Sequence, residues 1–315
     1  MSVLLAEHFT QPPEWRWYIL GYFFLAGLAG GSYLLGTMLR LWGRLADESA
    51  ARLCFLITLP LLIGCPILLT VDLGQPIRFW HMLWDTGAGG PAFNFVVASP
   101  MSLGVWGLLV FGIFSLLSFL DVLARDGRYG YPLSGVVAAL MGGPAGRVIN
   151  LVGALFALFV AAYTGVLLSV SNQPVWSDTY ALGGLFLASG MSGATALVVL
   201  VTRWRPSAAE SEDSLSEADG YFALLELAFI AATWVSLAFA GQLTTTLGAP
   251  WFVLWILAIL GLVPPLLGRF GGGVTVSGAG TAALARVGIS ATVGSAIVLV
   301  GVLALRAAVI WSAQG

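Results

Sequence analysis

The chain has little charge and few side chains that bind metals. It contains no lysine, only two histidines and two cysteines, and charged residues make up 9% of its 315 positions. Soluble domains carry about a quarter charged residues, so the composition argues against an ordinary soluble protein. The arginines form no basic stripe and the net charge is -2, so we expect no nucleic-acid partner.

Apolar sequence dominates instead. Hydrophobic residues make up 59% of the chain and the mean hydropathy is +0.95. About 20 helical residues cross a bilayer, and a helix leaves no backbone group unpaired in lipid. We therefore predict an all-α polytopic protein of the lipid bilayer with eight spans, near residues 17–42, 53–72, 101–124, 147–170, 180–202, 221–243, 251–268 and 287–310.

The arginines indicate the orientation, because positively charged loops stay on the cytoplasmic side. Ten arginines follow the odd-numbered spans, whereas only Arg16 and Arg78 lie on the opposite side. We predict a multi-pass protein of the bacterial inner (cytoplasmic) membrane with both the N and C termini outside, in the periplasm. Arg306 lies inside the last span and is expected to reach the interface or to pair with a carboxylate.

Two features suggest two four-helix halves. The pattern of residues 24–31 in the first span is repeated by residues 186–193 in the fifth, although such small-residue runs are also common in unrelated membrane helices. The acidic, serine-rich residues 206–220 are predicted to form a flexible connector between the halves. The prediction is a single membrane domain over 1–315, with halves over 17–170 and 180–310.

Few residues are available as metal ligands. A b-type haem usually needs two axial ligands inside the membrane, but His8 precedes the first span and His81 follows the second. Cys54 and Cys65 lie about 16 Å apart along one predicted helix, too far for a disulfide or a shared metal. We interpret both as core packing, and we expect no haem, no iron–sulfur cluster and no other metal in this chain.

The densest polar cluster follows the second span and contains Asp72, Arg78 and His81. Gly74 and Pro76 end the helix there, and aromatic residues follow. An acid, a base and an imidazole at the membrane interface suit a site for an amphipathic molecule that exchanges protons. The alternative is a helix cap with an Asp72–Arg78 ion pair that anchors the loop.

Four motifs occur in order over the first 170 residues. They are Trp17 with the run Phe23–Gly31, the run Asp72–His81, Ser99–Ser102 with Trp106, and the run Tyr163–Ser169. Together they resemble the NrfD/PsrC family of polysulfide reductase membrane subunits. The resemblance implies an eight-helix fold with both termini outside and no redox metal of its own.

The resemblance also implies a function, that of the membrane anchor of a respiratory or photosynthetic oxidoreductase complex. Such a subunit binds menaquinone or ubiquinone near the outer interface and couples its reaction to proton transfer. It exchanges electrons with an outer-face iron–sulfur (ferredoxin-like) subunit. That partner connects to a further subunit, either a catalytic molybdopterin protein or a multihaem cytochrome.

Carried over by motif, Tyr163 is expected to donate a hydrogen bond to a quinone oxygen, and Asp72 to accept a proton that His81 relays outward. Arg78 and Tyr22 are expected to contact the quinone. Some relatives have a histidine at the place of Tyr22, and a phenol takes up no proton near neutral pH, so Tyr22 is a contact and not a base. The alternatives are an interhelical hydroxyl bond for Tyr163 and a cap or partner contact for His81.

Polar residues on the inner half suggest a proton path from the cytoplasm through Asp121, Asn150 and Glu226. Carboxylates inside a membrane are costly and are therefore functional candidates. Two simpler interpretations stay open. Asp121 is four residues from Arg125 and pairs with it on a helix, and Glu226 forms a hydrogen bond to a neighbouring helix.

Two other function classes fit the composition. A secondary transporter would use broken helices, for which Pro60, Pro66 and the Pro264–Pro265 pair are candidates, and would bind its solute at the midplane. The polar residues gather toward the outer surface instead, which argues against transport. A purely structural anchor would keep full quinol turnover after Tyr163→Phe or Asp72→Asn.

Overall fold

The chain folds into ten α-helices and two short 3-10 helices over the residues that the structure describes. This structure is a computed structural model that describes residues 14–87, 92–126, 134–202, 211–270 and 290–314. The helices are α1 (Trp17–Trp42), α2 (Glu48–Asp72), α3 (Pro100–Asp126), α4 (Ser134–Leu140), α5 (Gly143–Ser169), α6 (Leu182–Thr202), α7 (Glu212–Phe239), α8 (Leu243–Leu247), α9 (Phe252–Phe270) and α10 (Ala291–Ser312).

Eight of these α-helices, all except the short α4 and α8, are long and apolar enough to cross a membrane. Their positions agree with the eight predicted spans to within a few residues at most boundaries. The all-α polytopic membrane fold is therefore confirmed. The division into two halves stays a prediction.

Helix α1 lies at the centre of the bundle. In its most apolar window 78% of the residues are buried, against 28% in α2, α3 and α7. It packs against α2, α5, α6 and α10. A Cβ at Gly30 would lie 2.6 Å from the carbonyl oxygen of Ala157 in α5, and one at Gly31 would clash with the carbonyl of Gly190 in α6. The small residues therefore allow two helix backbones to contact α1 closely.

Both ends of the described chain lie on one face of the bundle. The Trp15 backbone N–H donates to the side-chain oxygen of Gln314 at 2.8 Å. The Trp15 ring stacks on Trp176 with a centroid distance of 5.0 Å, and the Trp176 indole donates to the carbonyl of Val309. We call this face the terminal face; its placement in the periplasm stays a prediction.

The terminal face also carries the connection between α2 and α3, which we call the 73–99 segment. It contains a 3-10 helix, Pro76–Met82, and a two-stranded antiparallel pair, β1 (Trp84–Asp85) and β2 (Ala92–Phe93), with Trp84 opposite Phe93. Residues 88–91 lie outside the described residues. A second 3-10 helix, Leu45–Asp47, joins α1 to α2 on the opposite face.

The two cysteines pack inside the bundle, as predicted. Both are buried and free. Cys54 lies against α1, where a Cβ at Gly36 would be 2.8 Å from the Cys54 Cβ. Core packing is confirmed for this pair.

The predicted connector over 206–220 is wrong for its second part. Residues 203–210 lie outside the described residues, but α7 begins at Glu212 and continues without interruption to Phe239. Carboxylates at the start of a helix are favoured by its dipole, so an acidic run is compatible with a helix N-terminus. Leu215 is also fully buried, which fixes the first turns of α7 against the bundle.

Prolines do not interrupt the helices that contain them. Pro60 and Pro66 lie inside α2, and Pro264 and Pro265 lie inside α9. Both helices are continuous over their full length. The broken helices on which the transporter hypothesis depends are thus not found at these prolines.

Candidate functional site

Tyr163 sits near the terminal-face end of α5 with only 7% of its side chain exposed. Its hydroxyl donates to the backbone carbonyl of Pro100 at 2.6 Å. The ring stacks on Phe159, and a Cβ at Gly104 would clash with it. An interhelical hydroxyl bond is therefore present, as one interpretation of the sequence proposed, and it joins two of the four motifs.

Tyr22 provides a second buried phenol on the same side of the bundle. It lies in the second turn of α1 and is 4% exposed. Tyr163 of α5 and Cys65 of α2 are both within electrostatic range of its hydroxyl. Tyr22 and Tyr163 thus lie on the same side of the bundle, in the packed helices α1 and α5, although they are 141 positions apart in the printed sequence.

The acidic and basic residues of the 73–99 segment are exposed. Asp72 ends α2 and Arg78 lies in the 3-10 helix, and both side chains are accessible. Among the described residues, no ion pair within 4.0 Å includes either of them. The Asp72–Arg78 ion pair of the alternative interpretation is therefore not found, and both side chains are exposed.

His81 is held through its ring and its backbone. The imidazole stacks on Trp80 with a centroid distance of 3.9 Å and an interplanar angle of 23°. The carbonyl of His81 accepts a hydrogen bond from the Asn94 side-chain amide at 2.9 Å. His81 is thus oriented without any described hydrogen bond to Asp72 or Arg78.

Asn94 connects the 73–99 segment to α3. Its carbonyl accepts from the Trp106 indole at 2.9 Å and from the Ser102 hydroxyl at 3.4 Å. The Ser102 hydroxyl in turn accepts from the backbone N–H of Val96 at 3.0 Å. The sequence motif with Ser102 and Trp106 therefore fastens this segment to the start of α3. The sequence analysis did not identify Asn94 as a candidate. The one indication in the sequence is that an amide side chain stands among apolar loop residues.

The surface of this segment is apolar. Its large side chains are exposed in the absence of lipid or a partner: Ile77, Phe79, Trp80, Trp84, Phe93, Phe95, Val96 and Val97. Patches of this kind on a membrane protein face either the interfacial lipid or another protein. The terminal face therefore presents polar groups and an apolar surface together.

On the opposite face, Asp121 is fully buried between two arginines. Its carboxylate pairs with Arg125 at 2.8 Å, as the spacing predicted, and with Arg40 of α1 at 3.3 Å. Arg40 also pairs with Glu48, which pairs with Arg52. Asp121 therefore belongs to an ionic network that joins the ends of α1, α2 and α3.

One helical turn from Asp121 on α3, Ser118 forms a hydrogen-bonded chain with Asn150 of α5 and Tyr33 of α1. The Ser118 hydroxyl donates to the Asn150 side-chain oxygen at 3.4 Å and shares a 2.8 Å hydrogen bond with the Tyr33 hydroxyl. Ser118 precedes Asp121 by three residues on α3, so both face the same side. Tyr33 and Ser118 were missed because hydroxyl pairs give no distinctive spacing in a sequence.

Glu226 lies apart from this chain. It is 2% exposed in the middle of α7, and within the described residues no hydrogen bond or ion pair joins it to Asp121 or Asn150. The charged side chains that act on it electrostatically are Arg306 and Asp219. The three residues of the predicted proton path thus fall into two separate groups.

Arg306 does not behave as the sequence predicted. It is fully buried, reaches no interface, and forms no ion pair within 4.0 Å among the described residues. Its guanidinium donates to the carbonyls of Phe23, Phe186 and Val302 at 3.1–3.3 Å and to the Ser189 hydroxyl at 2.8 Å. The guanidinium donors of Arg306 are thus satisfied mainly by backbone carbonyls inside the bundle. The sequence does not show which carbonyls are available there.

Comparison with known proteins identifies the family. The family described as Polysulphide reductase, NrfD matches residues 6–315. The chain belongs to this NrfD family. The resemblance inferred from the four motifs is therefore confirmed, and it extends to the second half of the chain.

Several NrfD relatives are similar over long stretches. A polysulfide reductase component of Wolinella succinogenes is 34% identical over 190 residues, which cover 56% of this chain and 55% of that protein. Protein NrfD of Escherichia coli K12 is 27% identical over 338 aligned residues, covering 100% and 99% of the two proteins. A tetrathionate reductase component of Salmonella typhimurium is 26% identical, covering 82% and 73%. The matched region thus spans about half of the Wolinella protein.

No three histidine, cysteine, aspartate or glutamate side chains among the described residues lie close enough to hold a metal ion. The buried polar side chains of the described residues include phenols, hydroxyls, one asparagine amide, one arginine and a few carboxyls. Such groups form hydrogen bonds and transfer protons.

Proposed function

We propose that this protein is the quinone-reactive membrane subunit of a multi-subunit oxidoreductase in the bacterial inner membrane, with both termini in the periplasm. The observation that carries the proposal is the pair of buried phenols, Tyr22 and Tyr163, at the end of the bundle where Asp72 and Arg78 are exposed and His81 is half-buried. Two of its relatives are named as components of a polysulfide reductase and a tetrathionate reductase, which supports this assignment.

The hydrogen bond of Tyr163 defines how it would bind menaquinone or ubiquinone. A phenol has one proton, and in this structure Tyr163 donates it to the carbonyl of Pro100. Its oxygen can therefore accept a hydrogen bond from a quinol hydroxyl without any rearrangement. To donate to a quinone oxygen, Tyr163 must first release Pro100. Tyr22 offers the second phenol, and Arg78 a positive charge beside the headgroup.

Two protons accompany two electrons in quinone chemistry, so the site needs a proton route. We assign Asp72 as the proton acceptor and His81 as the relay to water, because Asp72 is exposed and His81 is half-buried at the terminal face, near the start of the 73–99 segment. On the opposite half, Tyr33, Ser118 and Asn150 form a hydrogen-bonded line next to Asp121. The hydroxyls of Tyr33 and Ser118 carry protons that can exchange. We propose this line as part of a cytoplasmic proton path.

The exposed apolar side chains of the 73–99 segment fit a docking surface for a partner subunit. We propose that an iron–sulfur, ferredoxin-like subunit covers this surface and exchanges electrons with the bound quinone. That subunit would pass electrons to or from a molybdopterin or multihaem cytochrome subunit. The polar groups beneath it, among them Asp72 and His81, would then lie between the two proteins.

The test uses the complex purified in mild detergent with its native partners. Loss of one hydrogen bond is worth about 1–1.5 kcal/mol, so Tyr163→Phe is expected to lower kcat/KM for quinol about tenfold. Tyr180→Phe, at a tyrosine that is 93% exposed in the α5–α6 loop, is the matched control and should not change turnover. Unchanged kcat/KM in Tyr163→Phe, or a complex without iron–sulfur absorbance, would contradict the proposal.

A further inference from the structure

A second polar group lies in the core between α6, α7 and α10. Asp219 and Glu226 are seven residues apart on α7, which places them on one helix face about 10 Å apart along the axis. The Ser192 hydroxyl donates to the carboxylate of Asp219 at 2.9 Å. Ser192 lies at the midpoint of α6, so the carboxyl of Asp219 reaches the middle of the bundle.

Glu226 has an unfilled acceptor position. It is 2% exposed, and its Oε2 has no hydrogen-bond partner in the part of the chain that the structure describes. Its electrostatic partners are Arg306 and Asp219. A buried carboxyl oxygen without a partner is costly, and the cost falls when a proton binds to the group.

The charges of this group do not balance when both acids are ionised. Arg306 supplies one fixed positive charge, since a guanidinium stays protonated in proteins. Its hydrogen bonds go to neutral carbonyls and to Ser189, so they cancel none of that charge. Two carboxylates against one arginine leave a net negative charge at a depth where uncompensated charge is strongly disfavoured. One proton on the two acids restores neutrality.

The described helices packed against α7 form no ion pair within 4.0 Å with either acid. Helix α6 offers only hydroxyls such as Ser189 and Ser192, and α8 has no ionisable residue. The one cation of α9, Arg269, stacks on the ring of Tyr221 at 3.9 Å. On α10 the only ionisable residue is Arg306.

We infer that Asp219 and Glu226 form a proton-loading site that holds one exchangeable proton against the fixed charge of Arg306. Asp219, which is only partly buried, takes up a proton from the side where α7 begins. The site then holds this proton on one of the two carboxyls while the other is ionised, and no electrons move. Use of this proton during quinone turnover rests on the function proposed above, whereas the binding of the proton does not.

Infrared difference spectroscopy of the intact complex in proteoliposomes tests proton binding directly. As the pH is raised, the wild type should lose one carbonyl band of a protonated carboxylic acid. Glu226→Gln should abolish this band, and Ser192→Ala should shift its frequency without adding or removing charge. Glu217→Gln, at an exposed acid on the same helix, is the control and should leave it unchanged. A wild type without such a band, or a band that survives both Glu226→Gln and Asp219→Asn, overturns the inference. The inference is also overturned if the intensity of the band depends on the sodium concentration at fixed pH, because the site would then bind sodium.

Turnover separates this inference from the proposed function. In Glu226→Gln proteoliposomes, proton uptake from the side where α7 begins should fall for each electron transferred. The Glu217→Gln control should keep both the wild-type proton uptake and the wild-type rate of quinol oxidation. If Tyr163→Phe retains full quinol turnover while the infrared band behaves as expected, the proposed function fails and the proton-loading site stands.

Discussion

The aromatic ring of Tyr163 fills the space beside Gly104 that any side chain at that position would need. The contact joins α5 to the first turn of α3, where Pro100 accepts the hydroxyl proton of the same tyrosine. The phenol of Tyr163 is therefore held in place by its hydrogen bond to the Pro100 carbonyl and by packing against Gly104, which has no side chain.

Gly104→Ala should therefore disturb the quinone site without removing any functional group. The added methyl group must push the Tyr163 ring away, and overpacking of this kind costs about 1–3 kcal/mol. We expect a lower kcat/KM for quinol in the assembled complex. Gly112→Ala on the same helix is the control, because no described atom lies within 4 Å of the added Cβ. Equal turnover in the two variants would mean that the tyrosine position is unimportant.

Asp121→Asn should weaken the bundle at its opposite face. The change leaves Arg40, whose side chain is only 12% exposed, without one of its two carboxylate partners. Removing one partner of a buried ion pair typically costs about 3–5 kcal/mol, and the remaining Glu48 pair should keep the cost near the lower value. A thermal unfolding scan in detergent measures it. Glu14→Gln removes an exposed ion pair with Arg16 and should not change the midpoint.

Gly31→Ala should separate α1 from α6. The new methyl group would clash with the carbonyl of Gly190 and with Ala194, and neither a backbone atom nor a Cβ can move away independently. We expect destabilisation of about 1–3 kcal/mol and less protein accumulated in the membrane. The control is Gly135→Ala in α4, where the added Cβ meets open space. Membrane yield and unfolding midpoint that match this control would contradict the close contact.

Arg306→Met should destabilise the protein more than the Arg306→Met/Glu226→Gln double variant. The single change leaves Glu226 without its electrostatic partner, whereas the double change removes both charges. A double-mutant cycle from unfolding midpoints should give a coupling of about 0.5–3 kcal/mol. If the two substitutions change the free energy of unfolding additively, Arg306 and Glu226 do not interact.

The sequence predicts the fold well where the signal is local. The first span was predicted over 17–42 and α1 has these bounds, because apolar length alone determines a membrane helix. The Asp121–Arg125 pair was also foreseen, since residues four apart on a helix are neighbours. The four motifs identified the family because their order is a property of the sequence itself.

Contacts between distant segments were not predictable in the same way. Arg40 reaches Asp121 across 81 positions, and no spacing rule relates the two. Asp219 was assigned to a connector because an acidic run suggests solvent, although it lies in a helix here. Residues that are close in sequence also need not interact: Asp72 and Arg78 are six positions apart and form no ion pair.

The central position of α1 has a consequence for biosynthesis. Among the described helices, α1 leaves the ribosome before the others and is the one that the bundle encloses most completely, so its partners arrive only as later helices are inserted. Its close contact with α6 must wait for the synthesis of α6, and the carbonyl of Phe23 receives Arg306 only when α10 enters. The contacts of α1 should thus be completed late, when α10 carries its arginine into a place that α1 and α6 have already formed.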